Sequence, residues 1–257
     1  MARIRWVAVL AAVLVLTFAA VGSAQLDVKT QLGYGGTNYG KILDAQNAKT
    51  TEWSAVLLGT YTHEDLLFNA SFTSSSRLNM SVTAAGEEEP AEDGQPGSHR
   101  RSNLQFGGNY LFLQDTGLKL YGGLGYSLTW LSLKDENIRG GDLLSLDGQG
   151  FVGQAIAQFD LGEKFTADAY LSAAPWYNWE YTQGKHSTKS IPGSHYYYQL
   201  GFEYLFAEEY SIRLGVQGGS YSIDKFRYSS SEPDETIELD KTSAGYSGVT
   251  VGVTWHF

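Results

Sequence analysis

The sequence predicts an all-β chain closing into an antiparallel transmembrane barrel of ten strands, on three observations. Period-two alternation of apolar and polar residues recurs in ten segments after residue 25. The connections alternate: those near residues 63, 115, 162 and 208 are tight, while those near 42, 92, 138, 188 and 235 are long and polar, as in barrels with short periplasmic turns and external loops. The chain also ends on a half-apolar strand, VTVGVTWHF, with no polar tail behind it. An even-stranded barrel pairs its last strand with its first, so that end needs no cover.

The first element is not part of the barrel. Arg3 and Arg5 precede an apolar run over residues 7–20, and Gly22, Ser23 and Ala24 supply small residues for cleavage. Residues 1–24 therefore read as a secretory signal peptide and residues 25–257 as the barrel. The run is shorter than the roughly 20 apolar residues a retained helical anchor needs. No later stretch reaches that length, so a helical membrane protein is excluded. Cleavage removes two of the 18 Lys and Arg residues and none of the 28 Asp and Glu, leaving a net charge of −12. So acidic a chain gains nothing from counterion release, and nucleic acid is not expected as a partner. With no cysteine, the exported chain must be held by its own sheet.

The strands follow in order. In the first, Leu26, Val28, Thr30, Leu32 and Tyr34 oppose Asp27, Lys29 and Gln31; in the second, Trp53, Ala55, Leu57 and Tyr61 share a face, though Val56 and Leu58 blur the alternation. After a turn at residues 63–65, Leu66, Phe68, Ala70 and Phe72 oppose Asn69, Ser71 and Thr73. A polar, Pro- and Gly-containing insertion precedes the fourth strand, which turns Leu104, Phe106, Tyr110 and Phe112 outward. The fifth carries Leu118, Leu120, Leu124, Tyr126, Leu128 and Trp130 outward, and the sixth Phe151, Ala155, Ala157 and Phe159. The seventh is expected to keep one apolar parity from Phe165 through Leu171 to Tyr177, Trp179 and Tyr181, with Asp168, Asn178 and Glu180 inside. The eighth turns Tyr196, Tyr198, Leu200, Phe202, Tyr204 and Phe206 outward. In the ninth, Tyr210, Ile212, Leu214 and Val216 face lipid, and Gly218-Gly219 is read as a bulge that keeps Tyr221 and Ile223 on that face. Aromatic residues at strand ends form two expected girdles: Phe112, Phe159, Phe165, Phe206, Tyr210 and Phe257 by the turns, and Trp130, Tyr177, Trp179, Tyr181 and Tyr196 by the loops.

The inward parity then contains Asp27, Lys29, Glu52, Lys119, Asp168, Glu180, Glu203 and Arg213. A ten-stranded lumen is narrow enough for side chains to fill, and a single charge there is costly, so these residues are expected to pair into a structural plug. The terminal residues Trp255, His256 and Phe257 resemble the C-terminal aromatic signature of bacterial outer-membrane proteins, with Trp255 and Phe257 its aromatic members. That resemblance implies barrel-assembly machinery as a partner, beside the lipid of the outer membrane.

Ten strands with five external loops and four short turns resemble the omptins in topology over residues 26–257, most closely in the hairpins YYYQLGFEYLFAEEYSIRLGVQGGSYSI and SAGYSGVTVGVTWHF. The omptin resemblance implies peptide cleavage near basic residues by an Asp pair facing an Asp-Glu-His stretch. This chain departs from that pattern. Residues 77–86, RLNMSVTAAG, hold no acid, and TQGKHS offers only His186, with Gly184 where an Asp is wanted. A lone His lacks the carboxylates that would orient a water.

Other chemistry is weak. Ser98-His99, His186-Ser187 and Ser194-His195 are adjacent in sequence, so on a strand they point to opposite faces. His99, His186 and His195 follow no metal-ligand spacing, and Glu87, Glu88, Glu89, Glu92, Asp93 and the acids of 232–240 lack that of a calcium loop. No catalytic, cofactor or metal site is assigned, and no cofactor is expected. The sequence reads as a non-enzymatic outer-membrane barrel with long extracellular loops for adhesive, receptor or envelope-structural roles. A divergent omptin-like hydrolase and a narrow solute channel are the alternatives.

Overall fold

The computed structural model describes residues 24–43, 46–77, 81–84, 97–135, 142–183, 186–229, 236–239 and 241–257. Ten long antiparallel strands form the wall: β1 (Gln25–Leu43), β2 (Gln46–His63), β3 (Leu66–Arg77), then β5 (Gly97–Asp115) after the short β4 (Ser81–Ala84), β6 (Leu118–Asp135), β7 (Asp142–Asp160), β8 (Phe165–Gln183), β9 (His186–Ala207), β10 (Tyr210–Ile223) and, after the small hairpin β11 (Phe226–Ser229) and β12 (Thr236–Leu239), β13 (Thr242–His256). Each strand pairs with its neighbour in order, and β13 closes onto β1 from Asp27–His256 up to Tyr39–Ala244. Closure leaves no free edge in the wall, so every strand finds backbone partners on both sides without water. Strand β4 extends the sheet beside the upper end of β2.

Four tight connections gather at the rim that also holds Gln25 and Phe257. They are the turns at Glu64-Asp65, Thr116-Gly117, residues 161–164 and Glu208-Glu209. Gly117 takes a φ of 75°, a left-handed conformation that a residue with a Cβ adopts only at a cost.

The opposite end differs from the expected long loops. The stretches near residues 42 and 188 are almost wholly strand, with only 44–45 and 184–185 outside the described residues. GKHSTKSIPGS reads as a loop because Gly, Ser and Pro are turn formers, yet Ile191 pairs with Trp179 and Gly193 with Tyr177. Pairing continues because the extended β8 is already there as a partner along this stretch, which outweighs local propensity. Strands of 18 to 22 residues, such as β2, β8 and β9, are about twice the 9–11 needed to cross a bilayer. At roughly 3.3 Å per residue and ~40° of tilt, nineteen residues rise about 48 Å, against an apolar band ~25 Å tall.

The two halves of that height are built inside out with respect to each other. Nearer the turns the exterior is apolar, with Leu57, Phe68, Phe106, Leu124, Phe151, Leu171, Leu200, Leu214 and Val251 all exposed, while the interior is mostly polar apart from a patch of Leu67, Tyr121 and Ile156. Higher up, Asn38, Arg100, Asp147, Asn178 and Ser243 are exposed on the outer face, and a large apolar cluster lies inside, beside the buried Glu52–Arg101 pair. The inner cluster there consists of Leu131, Leu146, Val152, Ala174, Tyr177, Trp179, Tyr181, Ile191, Tyr221, Ile223 and Ala244. Lipid surrounds the lower half and water the upper, so the apolar parity must change sides between them.

Two expectations fail at that change. Tyr177, Trp179 and Tyr181 are buried inside and are not girdle residues, because one extra residue at Pro175-Trp176 shifts the register of β8 against both neighbours. Trp176 swings out instead, 87% exposed. In β10 no bulge occurs at Gly218-Gly219; pairing with Ser247 and Tyr246 continues unbroken, so Tyr221 and Ile223 face inward. The turn-side girdle does lie outside: Phe112, Phe159, Phe165, Phe206, Tyr210 and Phe257 are all exposed. The expected signal peptide lies outside the described residues except for Ala24.

Candidate functional site in the barrel lumen

Four of the eight charges read as inward meet in one network just above the turn-side mouth. Lys29 Nζ donates to Glu203 Oε1 at 2.6 Å and to Asp168 Oδ1 at 3.2 Å. Arg213 donates to Glu203 Oε1 at 2.7 Å and forks onto both oxygens of Asp168, reaching Oδ2 at 2.8 Å. Two cations and two carboxylates balance, and each carboxylate accepts from both cations. The Arg213 side chain is fully buried, and Gly201 makes its position possible: a Cβ there would stand 1.9 Å from the guanidinium carbon. Breaking such a network by removing one partner typically costs 3–5 kcal/mol, since it strands a buried charge.

Glu52 pairs elsewhere, with Arg101, a residue the alternation did not single out. The Nη2 of Arg101 meets Glu52 Oε1 at 2.5 Å, Ser75 donates to Glu52 Oε2 at 3.0 Å, and the guanidinium lies 3.4 Å from the Tyr246 ring centre. Between the two ion clusters, amides and hydroxyls span the lumen. Tyr170 Oη donates to Gln105 at 2.9 Å, Gln154 to Tyr170 at 2.9 Å, Asn109 to Asn69 at 2.8 Å and Gln217 to Ser54 at 3.0 Å. Above them sit Tyr177 and Trp179, their rings 5.1 Å apart, with Tyr221 5.3 Å from Trp179. Gly148 on β7 clears their space, as a Cβ there would meet both rings within 2.6 Å.

The remaining expected lumen charges fall at the margins. Lys119 stands second in β6, exposed at the rim. Glu180 is not in the lumen: the extra residue at Pro175-Trp176 turns it to the outer face with Asp147, its pair on β7. His195 is buried in the lumen with its ring 5.3 Å from Tyr177. The side chains of His99 and His186 and the acidic run at 87–93 lie outside the described residues, as does most of 232–240. Among the described residues, no three His, Cys, Asp or Glu side chains gather as metal ligands would.

Asp27 takes part in an arrangement that sequence reading missed. Asp27 Oδ1 lies 2.8 Å from His256 Nδ1, and His256 Nε2 lies 2.8 Å from Ser211 Oγ. An ionised carboxylate only accepts, so Nδ1 carries the proton; in the neutral ring Nε2 then accepts from the Ser211 hydroxyl. The three residues stand on β1, β13 and β10, adjacent strands at the turn-side mouth. Backbone bonds hold the ring from both sides: Phe257 N–H to Leu26 O at 2.9 Å and His256 N–H to Glu209 O at 2.9 Å. All three residues had polar inward parity in the sequence; only closure of β13 onto β1 and β10 puts them together.

The sequence matches no known family, and no curated protein matches it either. Its fold does match solved structures. The outer membrane protease OmpT from Escherichia coli aligns with a TM-score of 0.53 at 9% identity, covering 91% of this chain and 96% of that one. Neisserial surface protein A aligns at a TM-score of 0.37 and 12% identity, covering 90% and 97% of the two chains. Ail, the attachment invasion locus protein of Yersinia pestis, aligns at 0.39 and 14%, covering 90% and 99%. The omptin-like topology read from strand count is thus present at the level of the fold. With the apolar exterior band, which only lipid can cover, it makes the chain an integral β-barrel of the bacterial outer membrane.

Proposed function

We propose that the protein is a plugged outer-membrane barrel whose role lies in its extracellular extension, as an adhesive, receptor or envelope-structural surface, and not in transport through its lumen. The observation carrying this reading is the filling of the interior at successive heights. The Lys29–Asp168–Glu203–Arg213 network, the Gln105–Tyr170–Gln154 layer, the Glu52–Arg101 pair and the Tyr177–Trp179–Tyr221 cluster each place buried side chains across the lumen. A solute path would have to pass all four, including ion pairs costly to part. The extension rises about as far above the apolar band as the band is tall, and its exterior is polar, as a surface meeting external partners requires.

This extracellular part is taken as non-enzymatic. The omptin mechanism has no support in residues 77–86 and 182–187, which lack its carboxylates. Export by cleavage after residue 24, and recognition of Trp255 and Phe257 by barrel-assembly machinery, belong to the same proposal. The test is electrical: the purified protein in planar bilayers gives no discrete conductance steps. Reproducible unitary steps from folded protein would refute the plug and restore the solute channel.

A further inference from the structure

We propose that Ser211, His256 and Asp27 are a hydrolytic triad at the periplasmic mouth, acting on small carboxylic esters that enter the lumen from that side. The geometry is that of an activated nucleophile: hydroxyl to imidazole Nε2 at 2.8 Å, and imidazole Nδ1 to carboxylate at 2.8 Å. The Asp27 carboxylate fixes the tautomer that leaves Nε2 free to take a proton. Its own second hydrogen bond, from Gln25 Nε2 at 3.3 Å, steadies it at the rim. The assembly is preorganised by strands and not by loops, since three neighbouring backbones carry it. The His256 and Asp27 side chains keep 25% and 17% of their surface exposed at the open end, while Ser211 is 3% exposed, so an ester reaches its hydroxyl only by displacing neighbouring side chains. Higher routes into the lumen are filled, so substrate comes from below. Lys29 and Arg213 stand two residues further along the same inward faces as Asp27 and Ser211, already paired with Asp168 and Glu203.

The reaction needs only ester and water. Ser211 Oγ bonds to the carbonyl carbon while His256 Nε2 takes the hydroxyl proton, and the carbonyl pair moves onto oxygen. That pair returns as the carbon–alkoxy bond breaks, and the leaving alkoxide takes the proton from Nε2 and departs as alcohol. Water then attacks the acyl-serine, giving its proton to Nε2; collapse releases the carboxylic acid and restores Ser211 with that proton.

A staple that merely ties the last strand to its neighbours would make the same hydrogen bonds without a reactive hydroxyl. Incubating the folded full-length barrel in detergent with a fluorophosphonate probe, followed by peptide mapping, separates the two. The expected result is covalent label on Ser211, absent in Ser211→Ala and slowed ~10-fold or more in Asp27→Asn, which permits the wrong tautomer. Hydrolysis of p-nitrophenyl acetate should fall in parallel. Mapping the unmutated protein makes the test independent of whether either variant folds. A folded barrel carrying no label on Ser211 overturns the proposal, and so does equal ester turnover by Ser211→Ala.

Discussion

Leu124→Arg measures the membrane band directly. Leu124 lies six residues up β6 from the turn at Thr116-Gly117, which at roughly 3.3 Å per residue and ~40° of tilt is about 15 Å of height. That is close to the middle of a ~25 Å apolar band. Leu124 is 73% exposed, so nothing in the protein shields the new charge from lipid. Arg at such a depth on a barrel's outer face costs about 2–4 kcal/mol. The control is Asn178→Arg. It is also exposed on the outer face, but thirteen residues up β8, about 33 Å above the rim and outside the band. A surface change of that kind stays within about 0.5 kcal/mol. Guanidinium titration of barrels folded into lipid vesicles, followed by tryptophan fluorescence, reads both values. Equal costs for the two substitutions would refute the placement of the band and the inversion built on it.

Two further outcomes follow from the same structure. Trp179→Ala removes the largest side chain of the upper inner cluster, where Trp179 also donates to Ser222 O at 3.1 Å. It should lower stability by about 3–5 kcal/mol, as core Trp truncations do, in the same guanidinium titration; an effect under 1 kcal/mol would return Trp179 to the exterior. Deleting Phe257 removes an exposed rim aromatic and the backbone bonds it exchanges with Leu26. Outer-membrane yield in cells should fall several-fold while refolding in detergent is less affected, and unchanged yield would remove the terminal aromatic from the assembly proposal.

Alternation alone read most of the wall correctly, because in the lipid-facing half the more apolar parity is outside, even where Val56, Leu67, Tyr121 and Ile156 add apolar side chains to the inner one. Leu32, Trp53, Phe68, Phe106, Leu124, Phe151, Leu171, Leu200 and Val251 stand where it puts them. Its failures share one cause. A rule that keeps apolar residues outward holds only at membrane depth, and Tyr177, Trp179, Tyr181, Tyr221 and Ile223 lie above it, where water takes the outside. Glu180 went wrong with them, since an outward Trp179 implies an inward Glu180. A signal was available in Pro175, which cannot donate to the ladder and so marks a place for a register change.

What the sequence by itself determined was local: which segments alternate, where the tight turns fall, and that one polar face carries Asp27, Lys29, Asp168, Glu203 and Arg213. A side-chain period of two is written into every strand and needs no partner to be read. What only the tertiary structure decided was which of these residues meet. Lys29 and Glu203 are 174 positions apart, and Asp27 and His256 are 229 apart. Their contact depends on register around a closed ring, where each strand's offset is set by its neighbours and the last by the first. No single segment contains that information. The charge network and the Asp27–His256–Ser211 row therefore appear only when the barrel closes.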